Sequence, residues 1–412
     1  MDHGDVAWML TSSTIVLLMT PGLAFFYGGL VKRKNIVNTM MCSVAMMGVG
    51  AIMWALIGFS LSFSGDVGGI IGDLKWAGLN FDTLTDTTCP YPNTLAFAIF
   101  QMMFAIITPA IISGAVIERI KFSSMVLFMA LWSLLVYYPL AHMVWGGGII
   151  FDFGAIDFAG GTVVHISSGV SALVLALLVG KRANHGKAAY HPHNVPFVLL
   201  GAALLWVGWF GFNTGSELAA NELTIHAFMT TNLGAASAML SWMLIERIKT
   251  GKTTLVGTCT GFVVGLVAIT PGCGFVTILS AMVIGALVSP ICFFMISFLK
   301  PRLGYDDALD VFGCHGVGGL WGAIATGIFT KQSINPGLAQ WNGLIYGDFK
   351  LFVAQLKAIG ITLVFAIVGT IVIYNIVKLC TRGVKVSPRE EKLGLDEVCH
   401  GESAYPAFNG MD

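Results

Sequence analysis

Eleven apolar stretches leave this chain very few ways to fold. They cover residues 8–30, 37–63, 95–116, 125–144, 161–180, 196–215, 223–245, 255–270, 275–299, 311–330 and 351–380. A helix needs about 20 apolar residues to cross a hydrocarbon layer roughly 30 Å thick, and only helices and closed barrels satisfy their backbone hydrogen bonds there. Runs this long read as helices, so the expected fold is all-α and integral to a membrane. The eighth stretch is the shortest. Charge is scarce: 11% of the 412 residues are charged and 56% are hydrophobic, where soluble domains average about 25% charged. The first stretch follows MDHGDVAW, which has no basic segment, so it is expected to persist as a membrane helix rather than to be cleaved as a signal peptide.

The basic residues set the orientation. Of the 22 lysines and arginines, 18 fall at alternate ends of the stretches: Lys32 to Lys34, Arg119/Lys121, Lys181/Arg182/Lys187, Arg247/Lys249/Lys252, Lys300/Arg302, and five between Lys378 and Lys392. Lys75, Lys331, Lys350 and Lys357 remain for the other side. The positive-inside rule places the larger group in the cytoplasm, with the N-terminus outside and the C-terminus inside. The net charge of zero gives no electrostatic reason to expect nucleic acid. The eight cysteines form no CxxC pair, and most sit in apolar runs, where they read as small packing residues.

Two stretches carry an ionisable residue where one is expensive. In Asp157 to Arg182, DFAGGTVVHISSGVSALVLALLVGKR, His165 lies about 12 Å from the acid and about 24 Å from Lys181 at ~1.5 Å per residue. The second, beginning at Asp310, reads DVFGCHGVGGLWGAIATGIFTK and holds His315. In both, a glycine follows the histidine by four residues and a lysine by sixteen, and the histidines are 150 residues apart. Alone, either can be a packing residue bonded to a neighbour. Together they suggest an internal repeat, and the charge bias makes their helices antiparallel, as an inverted repeat of five plus five requires. The expected organisation is a membrane domain over 1–380, with repeats at about 8–182 and 196–331 and a final helix at about 351–380. A tail over 381–412 follows. Pro21-Gly22 and FYGG in the first helix are matched by WFGFNTG in the sixth, its expected repeat partner, and interrupted helices at matching positions would point to a site at the repeat interface. Ordinary tolerance of glycine in membrane helices reads the same way.

Aromatic and small polar residues gather near the outer helix ends: Phe104 after Gln101, Trp145 before three glycines, and Trp209, Phe212, Asn213 and Ser216. Aromatic faces attract cations, more strongly where water is excluded, and a serine oxygen adds an acceptor. Trp145 alone also fits an interfacial aromatic belt. No acidic cage lies deep in a stretch, which argues against a metal-ion transporter. The two histidines have no third ligand beside them for zinc. No nucleophile–base pair, P-loop or dinucleotide fingerprint is present, so no enzyme activity and no cofactor are expected.

These segments resemble the Amt/Mep/Rh family of ammonium transporters, in its prokaryotic Amt branch. The most specific piece is Asp157 to Arg182. TPGLAFFYGGLVKRKN, ERIKFSS, AHMVWGGG, WFGFNTGS, TPGCGF, DVFGCHGVGG and GLDEVCHGESAY are also similar. The resemblance implies eleven helices around a conduit in each subunit of a homotrimer in the cell membrane. It implies that Phe104, Trp145 and Ser216 recruit NH4+, that Phe104 and Phe212 stack as a gate, and that His165 and His315 share a hydrogen bond along an apolar lumen. Asp157 would shape the site without binding ammonium. It further implies a tail docked beneath the trimer and a PII-family regulatory protein at the cytoplasmic face. The loop 64–93 is less family-like and supports no residue assignment. Two alternatives stay open: an ammonium sensor signalling through a partner, since the tail carries no catalytic domain of its own, and a passive channel for NH3 or CO2.

Overall fold

The computed structural model describes residues 2–81, 94–186 and 191–405. Cys89, Lys187 and Phe408 lie outside them. The described residues form helices, turns and isolated β-bridges, without strands. Nine helices among them are long and apolar enough to cross a membrane: α1 His3–Leu30, α2 Arg33–Phe63, α3 Thr94–Ser113, α4 Phe122–Asp152, α5 Gly161–Val179, α6 Val195–Glu217, α7 Glu222–Thr250, α9 Ile278–Leu303 and α11 Lys350–Cys380. The two other expected stretches fold as shorter or more dilute apolar helices in the same bundle. These are α8, Leu255–Ile269, and α10, in which Phe312–Gly316 continues into Val317–Phe329 and glycines and His315 lower the hydropathy. Leucines and valines such as Leu177, Leu240 and Val364 point outward, as the side chains of a bundle solvated by lipid do.

The interruptions of helix one and helix six do not match. In α1 the backbone breaks at Leu18, whose N–H bonds back to Ile15, because the ring of Pro21 crowds the carbonyl four residues earlier. In α6 the helix runs unbroken from Val195 to Thr214. Its glycines serve close approach instead: a methyl group on Gly201 would strike the backbone of Phe26 in α1. The breaks near the site lie in α5 and α10, which open as π-helical turns at Gly161–Ile166 and Phe312–Gly316. Those turns contain the two histidines, and π-turns often mark functional positions.

The basic loops meet on one face. Arg182 pairs with Glu118 at 2.9 Å and Asp306 at 2.7 Å. Arg119 donates to the Gly180 carbonyl at 2.7 Å and to the Asp306 carbonyl. Glu118 holds a left-handed backbone, φ 68°, which a side chain adopts only when its surroundings impose it. Its carboxylate takes the Lys32 N–H and the Asn35 amide, each at 3.0 Å. Burial pushes the Glu118 carboxyl up, but Arg182 and Lys32 more than reverse this and leave it below its ordinary value.

The tail folds onto the same face. Arg119 and Val384 carbonyls accept from Val386 and Lys121 at 3.0 and 2.9 Å. Two short helices follow, α12 Pro388–Leu393 and α13 Leu395–His400, the first started by a Ser387/Glu390 capping box. Asn35 accepts from the Leu395 N–H at 2.8 Å, and Asp396 accepts from the Asn38 N–H at 2.9 Å. Arg33 lies over the Tyr405 ring, whose hydroxyl meets His193 and Asn194 at 3.1 Å.

Candidate functional site

The first π-turn starts at Asp157. The Gly-Gly sequence after it lets the chain fold back, and the carboxylate accepts from Gly160 N and Gly161 N at 2.7 Å, from Thr162 N at 2.6 Å, and from the Thr162 hydroxyl. Four donors at a helix start, where the dipole favours negative charge, fix this end of α5. The Asp157 carbonyl accepts the Trp145 indole N–H at 2.8 Å, so one residue ties the end of α4 to the start of α5.

The second π-turn has its own acid, which is not the one the sequence pattern suggested. Asp310 turns away to pair with Lys300 at 2.5 Å. Asp307 instead accepts the Phe312 N–H at 2.8 Å. Asp307 precedes His315 by eight residues, the spacing from Asp157 to His165. It is fully buried, one of its oxygens has no partner among the described residues, and burial raises its carboxyl above its ordinary value. The signal was the 150-residue offset applied to the acid as well as to the histidine.

Between these two ends the histidines meet. His165 Nδ1 and His315 Nδ1 are 3.2 Å apart, a hydrogen bond in which one ring donates and the other accepts. Nothing but backbone separates their helices: a methyl group on Gly169 would collide with the Gly316 backbone. His165 stacks on Trp209 at 5.4 Å and 29°. Trp209 is held by Thr270 at 2.9 Å, and Thr270 also meets Asn213. The rings line a narrow cavity of about 20 Å³, walled by Leu23, Phe26, Ile107, Ile111 and Val263 among others, in which the imidazoles are the polar groups. His165 Nε2 is buried and has no partner among the described residues.

Above it, Phe104 and Phe212 stack at 4.0 Å and 19°. Both are buried, and Phe212 lines the narrow cavity, so these rings close it toward the Asp157 end of α5. Phe104 also meets Trp145 edge-on at 6.1 Å and 88°. A wider cavity of about 350 Å³ opens beyond, lined by Trp145, Ser216, Asp157, Gln101 and Glu217 among others. The Ser216 hydroxyl donates to the Phe212 carbonyl at 2.9 Å. Its one proton is thereby used and its oxygen is left as an acceptor. The structure thus brings Trp145, Ser216 and the stacked phenylalanines to one place. It does not bring Trp209 or Asn213 there: Trp209 lines the inner cavity, and Asn213 is fully buried against Thr231 and Thr270. Sequence reasoning passed over Glu217, and also Gln355, whose amide bonds both the N–H and the carbonyl of Ile156 at 2.9 Å beside Asp157.

The profile of the Ammonium Transporter Family matches residues 7–405. An ammonium transporter of Bacillus subtilis strain 168 is 48% identical over 408 residues, covering 98% of this chain and 99% of the relative. The crystal structure of Saccharomyces cerevisiae Mep2 superposes with a TM-score of 0.89 at 34% identity, over 100% of this chain and 93% of that one. A solved structure described as a sensor Amt protein gives 0.88 at 28% identity, over 96% and 98%.

Proposed function

This chain belongs to the ammonium transporter family, and from that premise we propose that it captures NH4+ at the outer cavity, removes a proton from it, and conducts NH3 and H+ separately to the cytoplasm. The family is one of multi-pass membrane transporters rather than enzymes. In the proposed arrangement all eleven apolar helices cross the cell membrane as a five-plus-five inverted repeat and a last helix. The N-terminus lies outside, the basic face and tail lie inside, and three chains form a trimer.

The observation that carries the reading is the hydrogen-bonded imidazole pair in a narrow apolar cavity. Ammonium and K+ match in charge and nearly in size, so a hole cannot separate them. An apolar lumen imposes a large desolvation penalty on any permanent ion. NH4+ escapes it by giving up a proton; K+ cannot. The histidines then offer a polar line for that proton. At the outer side Ser216 presents an acceptor and Trp145 an aromatic wall to a species that has only donors. Phe104 and Phe212 must part for NH3 to pass.

Current recording on proteoliposomes under ammonium, methylammonium and K+ gradients tests this. Ammonium and methylammonium should drive current and K+ should not; an absence of ammonium current would remove the coupled-proton step. In the same recording Trp145→Leu should raise the half-saturating concentration more than it lowers the maximum, by roughly five- to thirtyfold, since a cation–π contact contributes about 1–2 kcal/mol where water is excluded. Unchanged concentration dependence would count against an outer cation site at Trp145. A second reading, signalling rather than flux, draws on the likeness to the sensor Amt protein. A pure sensor gives no flux, and a passive gas channel gives NH3 flux without current.

The docked tail supports a regulatory surface on the cytoplasmic face, and a PII-family protein is the proposed partner there. A pull-down from native membranes should recover such a protein with the intact chain and lose it when residues after Cys380 are removed. Recovery of none, under nitrogen-replete and nitrogen-poor conditions alike, would leave the partner without support.

A further inference from the structure

The three glycines after Trp145 are explained by what packs on them. A methyl group on Gly146 would strike the Ser62 carbonyl in the last turn of α2, and one on Gly148 would strike the Gly69 carbonyl in the loop that follows. Gly147, between them, has a left-handed backbone at φ 86°, which glycine adopts without steric cost. The turn is thus pressed against the loop after α2. Backbone bonds close the contact. The His142 carbonyl accepts from the Gly146 and Gly148 N–H groups at 2.9 and 3.1 Å, and the Gly69 carbonyl accepts from the Ile149 N–H at 2.8 Å.

The His142 side chain completes the arrangement. It is fully buried, three residues before Trp145. Its Nδ1 lies 3.2 Å from the Ser62 carbonyl oxygen and its Nε2 lies 2.9 Å from Asp66 Oδ1. A carbonyl and a carboxylate only accept, and a neutral imidazole has a single N–H to give. Both contacts are hydrogen bonds only when both ring nitrogens carry hydrogen, which makes the ring a cation. A buried cation is costly unless it is paired. Asp66 supplies the pairing from a position where its side chain is still 52% exposed. The same Oδ1 accepts the Gly69 N–H at 2.8 Å. The hydrogen bond from His142, with that from Gly69, outweighs desolvation and holds the Asp66 carboxyl below its ordinary value. The other carboxylate of this loop, Asp73, is taken up by the Ser64 hydroxyl and the Lys75 N–H at 2.6 and 2.9 Å.

We propose that His142 is a positioning residue, a doubly protonated imidazolium that clasps the loop after α2 to the end of α4 and so sets Trp145 in the wall of the wider cavity. The role rests on the transport reading above, since it concerns how ammonium is captured, though the clasp itself does not require flux. Trp145 is fixed from two sides. Its indole N–H is held by the Asp157 carbonyl at 2.8 Å. Its backbone stands between His142 and the glycine turn, which the clasp ties to Ser62, Asp66 and Gly69. The direction of the indole matters, because a cation is attracted to the face of the ring. Neither His142 nor Asp66 is among the residues that line the cavity, so the pair acts through the tryptophan and does not touch substrate. A charge-assisted hydrogen bond suits that task, being shorter and stronger than a neutral one.

The test reads protonation, local order and transport separately on the full chain in proteoliposomes. Solid-state 15N spectra of histidine-labelled protein at neutral pH should contain a ring with hydrogen on both nitrogens that is absent from His142→Gln. Should that variant fail to fold, the ring is the one that responds to Asp66→Asn, a change at an exposed position. Asp66→Asn removes the charge, and its amide can satisfy a neutral ring only by turning its NH2 inward and giving up the Gly69 N–H. In this variant the His142 ring should lose one hydrogen, and the Gly69 and Ile149 amides should exchange with solvent about tenfold faster or more. The half-saturating ammonium concentration should rise about two- to fivefold, less than for loss of the indole itself, while the maximum current changes by less than about twofold. Asp66→Glu, which keeps the charge, should restore the protonated ring and most of the affinity. A wild-type His142 ring with one bare nitrogen overturns the clasp, as does a spectrum in which no ring responds to Asp66→Asn. An Asp66→Asn protein that alters the ring yet captures ammonium like wild type overturns the positioning role. If wild type passes no current, the transport reading falls, and the spectra and exchange rates alone decide the clasp.

Discussion

Replacing either His165 or His315 with alanine should cut ammonium-driven current by roughly 10²-fold, the lower range for losing a positioned proton-transfer group, or let K+ carry current in its place. The two outcomes separate two jobs. If the imidazoles relay protons, the single variants stop the current, and the double variant is hardly worse, because groups that act as one unit are not additive. If they mainly keep water and ions out, the cavity that alanine opens admits solvent, and K+ exclusion fails first. The measurement is current on proteoliposomes under separate ammonium and K+ gradients. Variants that keep wild-type current and still exclude K+ would show the relay reading to be wrong. The geometry makes the experiment sharp: the rings touch through a single bond at 3.2 Å, and the adjoining backbones leave no room for a bypass at Gly169.

Asp157→Ala should be the most disruptive change outside the histidines. It strips acceptors from three backbone N–H groups and one hydroxyl, all buried. Each buried donor left unpaired costs about 1–3 kcal/mol, so the turn at Gly160 should rearrange and release the Trp145 anchor at the Asp157 carbonyl. Transport should fall to near background and the melting temperature should drop by several degrees. Asp157→Asn should fall between alanine and wild type, because its amide nitrogen faces donors on one side. A functional, undestabilised Asp157→Ala protein would mean that the carboxylate is dispensable to the turn.

Much of this molecule was legible in its sequence because membranes simplify the code. Long apolar runs have one solution, so helix positions could be read within a few residues, and His165 and His315 stood out because ionisable groups in apolar runs are rare. The eighth stretch was harder because it is short, and in the tenth glycines and His315 thin the apolar signal. The roles of Phe104, Phe212 and Ser216 came from resemblance; no spacing predicts that rings from α3 and α6 will stack. Asp310 and Asp307 show the limit of local pattern. Both precede the same helix, and only the fold reveals that one bonds its first turn while the other pairs with Lys300. Glu217 was invisible for a similar reason. Its direction depends on the left-handed Leu218 and on an asparagine that also starts the next helix. The tail's contacts link residues more than 350 positions apart, and no periodicity records that.

The bond between the histidine rings has one further consequence. A single hydrogen sits between the two Nδ1 atoms, so the pair exists in two settings that differ only in which ring owns it. In the proposed cycle, a proton delivered to one outer nitrogen and withdrawn from the other leaves the pair in the opposite setting. The pair therefore behaves as a one-bit register that every passage inverts. It cannot accept a second proton from the same side until the bit is rewritten, by ring rotation or by a proton returning the other way. At high ammonium the speed of such a device is bounded by the rewriting step, which involves no substrate.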